Sequence, residues 1–262
     1  MINYTKALKM ASLLGVPEET VEKDYFIELL LSFLSDSNFF KTNFVFRGGT
    51  ALRKMYFKDY RFSEDLDFIT QKQNALEDSE KIIKGLLAGM SSEYTAKLAP
   101  GAKYQQGRAQ YFVIYDLIPE IRAVKELKLD LCLDLQAYAN QERALLSAFG
   151  EFEKKKTLLY TCDLETIAGD KIGAIMDNRN EARDVYDIWC ILKADIDVKK
   201  VTKSYREKYG YKIYLQGLLE AVQKEAYRNT WETRLKNQVA GLPDFNLVIK
   251  EVTHLLKEKF SR

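Results

Sequence analysis

Two runs of the chain alternate acidic and apolar residues: Asp65-Leu66-Asp67-Phe68, and Leu127-Lys128-Leu129-Asp130-Leu131-Cys132-Leu133-Asp134. A period of two marks β-strands, in which neighbouring side chains point to opposite faces. Leu66 and Phe68 therefore turn toward a core while Asp65 and Asp67 share the other face. The second run alternates strictly, with its leucines on one side and Lys128, Asp130, Cys132 and Asp134 on the other. The fold must contain a sheet with one packed face and one face that carries carboxylates.

Just ahead of the first run lies Phe44-Val45-Phe46-Arg47-Gly48-Gly49-Thr50-Ala51-Leu52. Phe44 to Arg47 is short, apolar and β-prone, a strand, and Thr50 to Lys58 has good helix formers with Leu52, Met55 and Tyr56 at helical spacing. The glycines fall at the turn between strand and helix. Glycine lets the backbone adopt unusual angles and approach a ligand, and free N–H groups at a helix start favour an anion such as a triphosphate. Paired carboxylates beside such a turn read as a phosphate-and-metal site, because Mg²⁺ takes oxygen ligands and commonly uses one or two carboxylates plus substrate phosphates.

Each element has a plainer reading. A Gly-Gly turn alone usually only shapes the backbone, and aspartates are frequent at strand edges. Two on one face, flanked by apolar residues, are costly to bury unless paired or bound to a cation, so the functional reading is preferred for Asp65 and Asp67. Asp130 and Asp134 compete to be the third carboxylate. Asp130 is preferred, because it is mid-strand and its leucine neighbours fix its direction.

Composition narrows the chemistry. With 40 Lys and Arg against 38 Asp and Glu, the formal charge of +2 imposes no polyelectrolyte character, so any nucleic-acid contact must rest on local patches. Cys132, Cys162 and Cys190 are odd in number, widely spaced and in apolar surroundings, which fits reduced thiols in a cytoplasmic protein better than disulfides or zinc. The start lacks a cationic region followed by an apolar signal segment, and no apolar run approaches the roughly 20 residues of a membrane span. The one histidine, His254, lies near the end of a helical tail and reads as a surface or packing residue. Ser-His-Asp, Cys-His and histidine-rich zinc chemistry therefore lack support, which leaves carboxylates, lysine and a metal.

Along the chain, helix is expected over 3–35 and 73–90, with strands at 43–47, 65–70, 92–98, 107–116 and 126–135. From about 163 the pattern becomes helical, over 163–177, 180–193, 197–208, 212–227, 230–239 and 244–260, broken by Gly210 and by Gly241-Leu242-Pro243. Two regions follow: residues 1–160, an α/β core with N-terminal helices, and residues 161–262, helical. In the second, Lys171 stands in a mostly apolar helix, either snorkelling to solvent or aimed at a phosphate; taken alone, solvent is preferred. Arg183 and Asp187, one turn apart, could form a surface ion pair. Lys199, Lys200, Lys203, Arg206, Lys208 and Lys212, interleaved with Tyr205, Tyr209, Tyr211 and Tyr214, could contact RNA, although a charged helix exterior is the commoner meaning of such a run.

These residues resemble the AbiEii-type nucleotidyltransferase toxins of bacterial type IV toxin-antitoxin and abortive-infection systems, a group related to the MenT toxins. The resemblance is carried by Glu22-Lys23-Asp24-Tyr25, by Phe46-Arg47-Gly48-Gly49-Thr50-Ala51-Leu52 and by Arg61-Phe62-Ser63-Glu64-Asp65-Leu66-Asp67-Phe68. Lys171 and Arg183-Asp184-Val185-Tyr186-Asp187-Ile188 match the later signature. The resemblance implies an α+β class, with a nucleotidyltransferase-fold mixed sheet, flanking helices and a helical C-terminal region. It implies transfer of a nucleotide from a nucleoside triphosphate, with Mg²⁺ or Mn²⁺, to an acceptor such as the 3′ end of tRNA, and a cognate antitoxin as partner. Carried over, Gly48, Gly49, Thr50 and Ser63 would hold phosphate, and Asp65 and Asp67, with Asp130, would hold metal. Lys171 would contact the nucleotide, and Asp187 would be an acid of the second half, with Asp184 as its competitor. Here Gly49-Thr50 stands where the pattern more often has serine, so the Thr50 hydroxyl is the candidate replacement. The alternatives are a protein of this fold that binds nucleotide or a partner without turnover, and an enzyme that transfers the nucleotide to a protein hydroxyl.

Overall fold

The computed structural model describes residues 1–90, 94–101, 103–136 and 138–261. Asn3 caps α1 (Tyr4–Leu14) by accepting the Lys6 N–H, and Gly15, left-handed at φ 63°, ends it. After Pro17 comes α2 (Glu18–Asp36), so the helix expected over 3–35 is two helices with a break at Gly15-Val16-Pro17. There follow α3 (Asn38–Asn43), β1 (Val45–Arg47), α4 (Gly48–Ala51), a π-helical turn over Leu52–Tyr56, β2 (Asp65–Thr70) and α5 (Gln73–Met90). Then come β3 (Thr95–Leu98), β4 (Lys103–Gln105), β5 (Arg108–Asp116), β6 (Glu126–Leu133), β7 (Asn140–Ala144), α6 (Gly150–Glu153) and β8 (Leu158–Cys162). The remainder is helical: α7 (Leu164–Met176), α8 (Ala182–Lys193), α9 (Val198–Tyr209), α10 (Leu215–Ala221), α11 (Glu225–Leu235) and α12 (Phe245–Phe260). No helix among the described residues is long and apolar enough to cross a membrane.

The chain divides into two units, Met1–Leu135 with Asn140–Thr161, and Gln136–Ala139 with Cys162–Arg262. The first is built on a mixed sheet in the order β3-β5-β6-β2-β1-β8-β7, with β4 paired to β5. β2 runs parallel to β6 and antiparallel to β1, while β1 pairs in parallel with β8 through Phe46 and Thr161. Cross-strand partners stand on the same face, so the registers Phe46↔Phe68↔Leu131↔Ala109 and Leu66↔Leu129↔Tyr111 stack buried side chains in rows. Helices close this face. Phe26 of α2 stacks on Tyr115 with ring centroids 4.1 Å apart, and Ser79 of α5 hydrogen-bonds the Tyr111 hydroxyl at 2.7 Å.

An ion network joins α2 to the π-helical turn. Asp24 accepts two bonds from Arg53, at 2.9 Å each, and lies 2.8 Å from Lys54 Nζ, which also reaches Glu28 at 2.7 Å. Burial alone would raise the Asp24 carboxyl, but the charges and hydrogen bonds of Lys54 and Arg53 win and hold it at about 2. Glu28 also accepts the Ala148 N–H and the Ser147 hydroxyl. Glu22 accepts the N–H groups of Leu117 and Ile118 at 3.0 and 2.9 Å and faces Lys125. These acids of α2 are thus structural: Asp24 and Glu28 fasten the segment that follows the diglycine to the helix behind it, and Glu22 holds the 117–118 turn.

In the second unit, small residues let helices close on one another. A Cβ on Gly169 would lie 3.3 Å from the Tyr205 backbone N, and one on Gly173 would lie 2.1 Å from the Tyr209 ring, so α9 packs directly on α7. Tyr205 and Tyr209 are packing residues, whereas Tyr211 and Tyr214 remain exposed. Trp231 packs edge-on against Phe245 and donates its indole N–H to the Pro243 carbonyl.

Several boundaries differ from expectation for local reasons. β7 is exposed along most of its length and lacks an apolar period, and β4 is only three residues, so neither announces itself in sequence. The strand expected at 92–98 is seen from Thr95; Ser92 and Glu93 lie outside the described residues. The helix expected from Thr50 begins at Gly48 and widens to π geometry at Leu52. In place of helices at 212–227 and 230–239, the break lies between Ala221 and Glu225. Tyr227, Trp231 and Leu235, buried at four-residue spacing, keep α11 continuous through Arg228-Asn229.

Candidate active site

The face of the sheet away from the core is polar, and its register decides which side chains meet. Arg47 at the end of β1 stands opposite Asp67 on β2, and Asp67 stands opposite Asp130 on β6. Asp130 in turn faces Gln110 on β5, and Asp65 faces Lys128. Asp65, Asp67 and Asp130 therefore share one face, as an acid row that runs along β2 and crosses to β6 at Asp67. Asp134 lies beyond the end of β6, where its N–H donates to the Thr70 carbonyl.

The row is laced with basic groups that the sequence reading did not single out. Lys128 Nζ lies 3.0 Å from Asp65 Oδ2 and 3.3 Å from Asp130 Oδ2. Arg108 Nη2 donates to Asp130 Oδ2 and Gln110 Nε2 to Asp130 Oδ1, both at 2.9 Å. Burial would raise the Asp130 carboxyl, but the Gln110 and Arg108 hydrogen bonds and the Lys128 charge carry it below its ordinary value. Asp67 goes the other way. Burial pushes it up, Arg47 opposes, and the charges of Asp65 and Asp130 add to the rise.

The diglycine packs against this row. Gly48 is left-handed at φ 81°, and a Cβ there would come within 2.5 Å of Asp67 Oδ2, so both conformation and space demand glycine. A Cβ on Gly49 would meet Arg61 Nη2 at 2.5 Å and Ser63 Oγ at 3.3 Å. Gly48, Gly49, Ser63 and Asp67 are thereby neighbours. The buried Thr50 hydroxyl donates its one proton to the Asp65 carbonyl, which ties the turn to the start of β2. A phosphate contact at Thr50 would run through its backbone N–H rather than through a stand-in serine hydroxyl.

Among the described residues no group of three or more His, Cys, Asp or Glu side chains is gathered to hold a metal ion. Asp130 has both oxygens engaged by the protein, while Asp65 and Asp67 present hard oxygens beside the diglycine. That donor set suits Mg²⁺ or Mn²⁺ completed by substrate oxygens, not a closed cage made by the protein alone.

In the helical unit, Lys171 of α7 is not snorkelling: at 12% exposure its Nζ lies 2.6 Å from Asp184 Oδ1 and 2.7 Å from Asp187 Oδ2, both on α8. A lysine at a helix interface needs opposite charge, and the Asp-x-x-Asp spacing supplies two on one helix face. Arg183 Nε lies 3.3 Å from Glu181 Oε1, while Lys171 reaches both acids of α8. Asp184 Oδ2 is buried without a hydrogen bond, with Arg179 3.8 Å away.

No curated protein sequence matches the chain. Among solved structures, the fold is similar to MenT4, a nucleotidyltransferase toxin from Mycobacterium tuberculosis H37Rv, with TM-score 0.59 and 18% identity over 92% of this chain and 94% of that one. It is also similar to a protein from H. pylori assigned as a nucleotidyltransferase, with TM-score 0.61 and 18% identity over 94% of this chain and 96% of that one. At such identity these likenesses speak for the fold. The family profile described as nucleotidyl transferase AbiEii toxin, type IV TA system, matches residues 29–258, and the chain belongs to that family.

Proposed function

We propose that the chain is a metal-dependent nucleotidyltransferase that moves a nucleotide from a nucleoside triphosphate to RNA, the 3′ end of tRNA being the acceptor we favour, and that a cognate antitoxin restrains it in the cytoplasm. The acid row beside the diglycine carries this reading. The acceptor hydroxyl attacks the α-phosphorus and pyrophosphate leaves, so no protein nucleophile is needed and the lack of a serine or cysteine triad is no obstacle. Asp65 and Asp67, with Asp130 adjoining, would hold Mg²⁺ or Mn²⁺, which would supply charge neutralisation and Lewis acidity at the phosphate oxygens. Gly48 and Gly49 let Asp67 and Arg61 lie directly against the turn that would receive phosphate, and Ser63 adds a hydroxyl beside them. Arg47 and Lys128 bring positive charge to the same face, where fixed charges stabilise a polyanion without reorganising. Lys171 and Asp187, paired within their own unit, are assigned to nucleotide contact and to the second acid on the family resemblance.

The test is incorporation of labelled nucleotide into total tRNA by the wild type and by Asp65→Ala and Asp67→Ala. Loss of incorporation by at least about a hundredfold is expected, the scale of removing a group that stabilises the transition state. Undiminished activity in both variants would overturn the assignment. Label appearing in protein instead would move the acceptor to a side-chain hydroxyl, and nucleotide bound by the wild type but never consumed would leave a binding protein of the same fold.

A further inference from the structure

The acid row is neutralised from within. The negative charges of Asp65, Asp67 and Asp130 face the positive charges of Lys128, Arg108 and Arg47, so the three acids of the row are matched by three bases. Lys128 has the most telling place. Its ammonium lies between two members of the row, 3.0 Å from Asp65 and 3.3 Å from Asp130, bridging carboxylates on adjacent strands as a divalent cation would. Its partners differ in their other bonds: Asp130 is also held by Arg108 and Gln110, whereas among the ion pairs Asp65 makes, Lys128 is the cation that engages its Oδ2.

We infer that Lys128 is a built-in counter-ion of the acid row, which excludes a free divalent cation and admits one only together with the triphosphate. The inference rests on the nucleotidyl-transfer reading above. The argument is one of charge. Adding a bare divalent cation to a balanced row leaves it with surplus positive charge beside Lys128, Arg108 and Arg47, and the cation must also displace the ammonium from Asp65. A metal–triphosphate complex is anionic overall, so the same three bases attract it, and the displaced ammonium gains phosphate oxygens in place of the carboxylate it gives up. The site would then ignore free cations and respond to charged nucleotide. A lysine suits this better than an arginine, because a single ammonium on a flexible stem can change partners, whereas a guanidinium fork is built to stay with one carboxylate.

The test measures cation binding rather than turnover. Binding of Mn²⁺ to the full-length protein is followed by loss of the free-ion electron paramagnetic resonance signal, with and without an α,β-methylene triphosphate that cannot be turned over. Wild type, Lys128→Met, Lys128→Arg and Asp67→Asn are compared, with far-UV circular dichroism to confirm folding and Lys128→Gln as the substitute should the methionine variant not fold. Wild type should bind Mn²⁺ weakly alone and strongly with the analogue. Lys128→Met should bind Mn²⁺ alone at least about tenfold more tightly, the scale of removing one charge next to a titrating site, and should lose most of the gain given by the analogue. Lys128→Arg should bind Mn²⁺ alone as weakly as wild type but gain less from the analogue, because a guanidinium held by Asp65 gives way less readily. Equal affinity of Lys128→Met and wild type for Mn²⁺ alone would overturn the inference and leave the proposed function standing. Failure of the wild type to bind Mn²⁺ even with the analogue, or full binding by Asp67→Asn, would instead bring down the metal-dependent reading on which the inference depends.

Discussion

Replacing Lys54 by methionine probes the network that holds the diglycine segment to α2. Lys54 is 1% exposed, with Nζ 2.8 Å from Asp24 Oδ1 and 2.7 Å from Glu28 Oε1. Methionine fills most of the space of the aliphatic stem, so the change isolates the charge. Asp24 keeps its two bonds from Arg53, but Glu28 is left with only the Ser147 hydroxyl and the Ala148 N–H and no cation. Removing one partner of a buried pair costs about 3–5 kcal/mol, chiefly through the stranded charge, and the surviving Arg53 contact sets the expectation at the low end, about 3 kcal/mol. For a chain of this size about 2–4 °C of melting temperature goes with each kcal/mol, so a fall of about 6–12 °C is expected. The assay must report on the right unit. Both tryptophans, Trp189 and Trp231, lie in the helical unit, so far-UV circular dichroism together with hydrogen exchange of α2 amides is the measurement of choice. Adding Glu28→Gln removes the stranded charge and should recover about 1–2 kcal/mol of the loss. A melting point within about 2 °C of wild type for Lys54→Met, or a double variant that loses the plain sum of the two single changes, would refute the reasoning.

Two further outcomes follow from the same structure. The Asp24 carboxyl is held at about 2 against an ordinary 3.8, so its contribution, about 2 kcal/mol, is complete above the unfolded-state value and disappears as pH falls through the folded one. Urea denaturation from about pH 5 down to about pH 2 should therefore show the advantage of wild type over Asp24→Asn shrinking across the lower part of that range; a constant difference would contradict it. Among helical glycines, Gly85 of α5 faces open space whereas a Cβ on Gly173 of α7 would meet the Tyr209 ring at 2.1 Å. Gly85→Ala should raise stability by up to about 1 kcal/mol, and Gly173→Ala should lower that of the helical unit by about 1–3 kcal/mol, read by tryptophan fluorescence; a stabilised Gly173→Ala would rule out the packing of α9 on α7 described here.

What could be read from sequence was whatever a single element encodes. Strict alternation in Leu127–Asp134 and Asp65–Phe68 placed the carboxylates on one face, and the strand expected at 107–116 is β5. What could not be read was pairing. Lys128 shares a face with Asp130 in its own strand, yet that it reaches Asp65 depends on the parallel register of β2 on β6, which no local pattern specifies. Arg108 and Gln110 come to Asp130 from β5, equally beyond the reach of local spacing. Lys171 shows the same gap from another side. Its helix suggested a route to solvent, and only the packing of α7 with α8 shows the lysine answered by Asp184 and Asp187. The acids of α2 belong to the same class, since Asp24, Glu22 and Glu28 meet Arg53, Lys54 and the backbone of distant loops, partners that no local spacing specifies.

The parallel pairing of β8 beside β1 also orders events during synthesis. Phe46 meets Thr161, so one side of β1 stays without its neighbour until much of the chain has left the ribosome. Segment 136–139 emerges earlier still, yet it belongs with the unit that resumes at Cys162. A nascent chain stalled between these points would present a bare strand flank and an orphaned tetrapeptide, the kind of surface that invites wrong partners. No single cut of the polypeptide could liberate either half whole, and the acid row matures on a sheet whose last inner strand is among the last parts of its unit to be made.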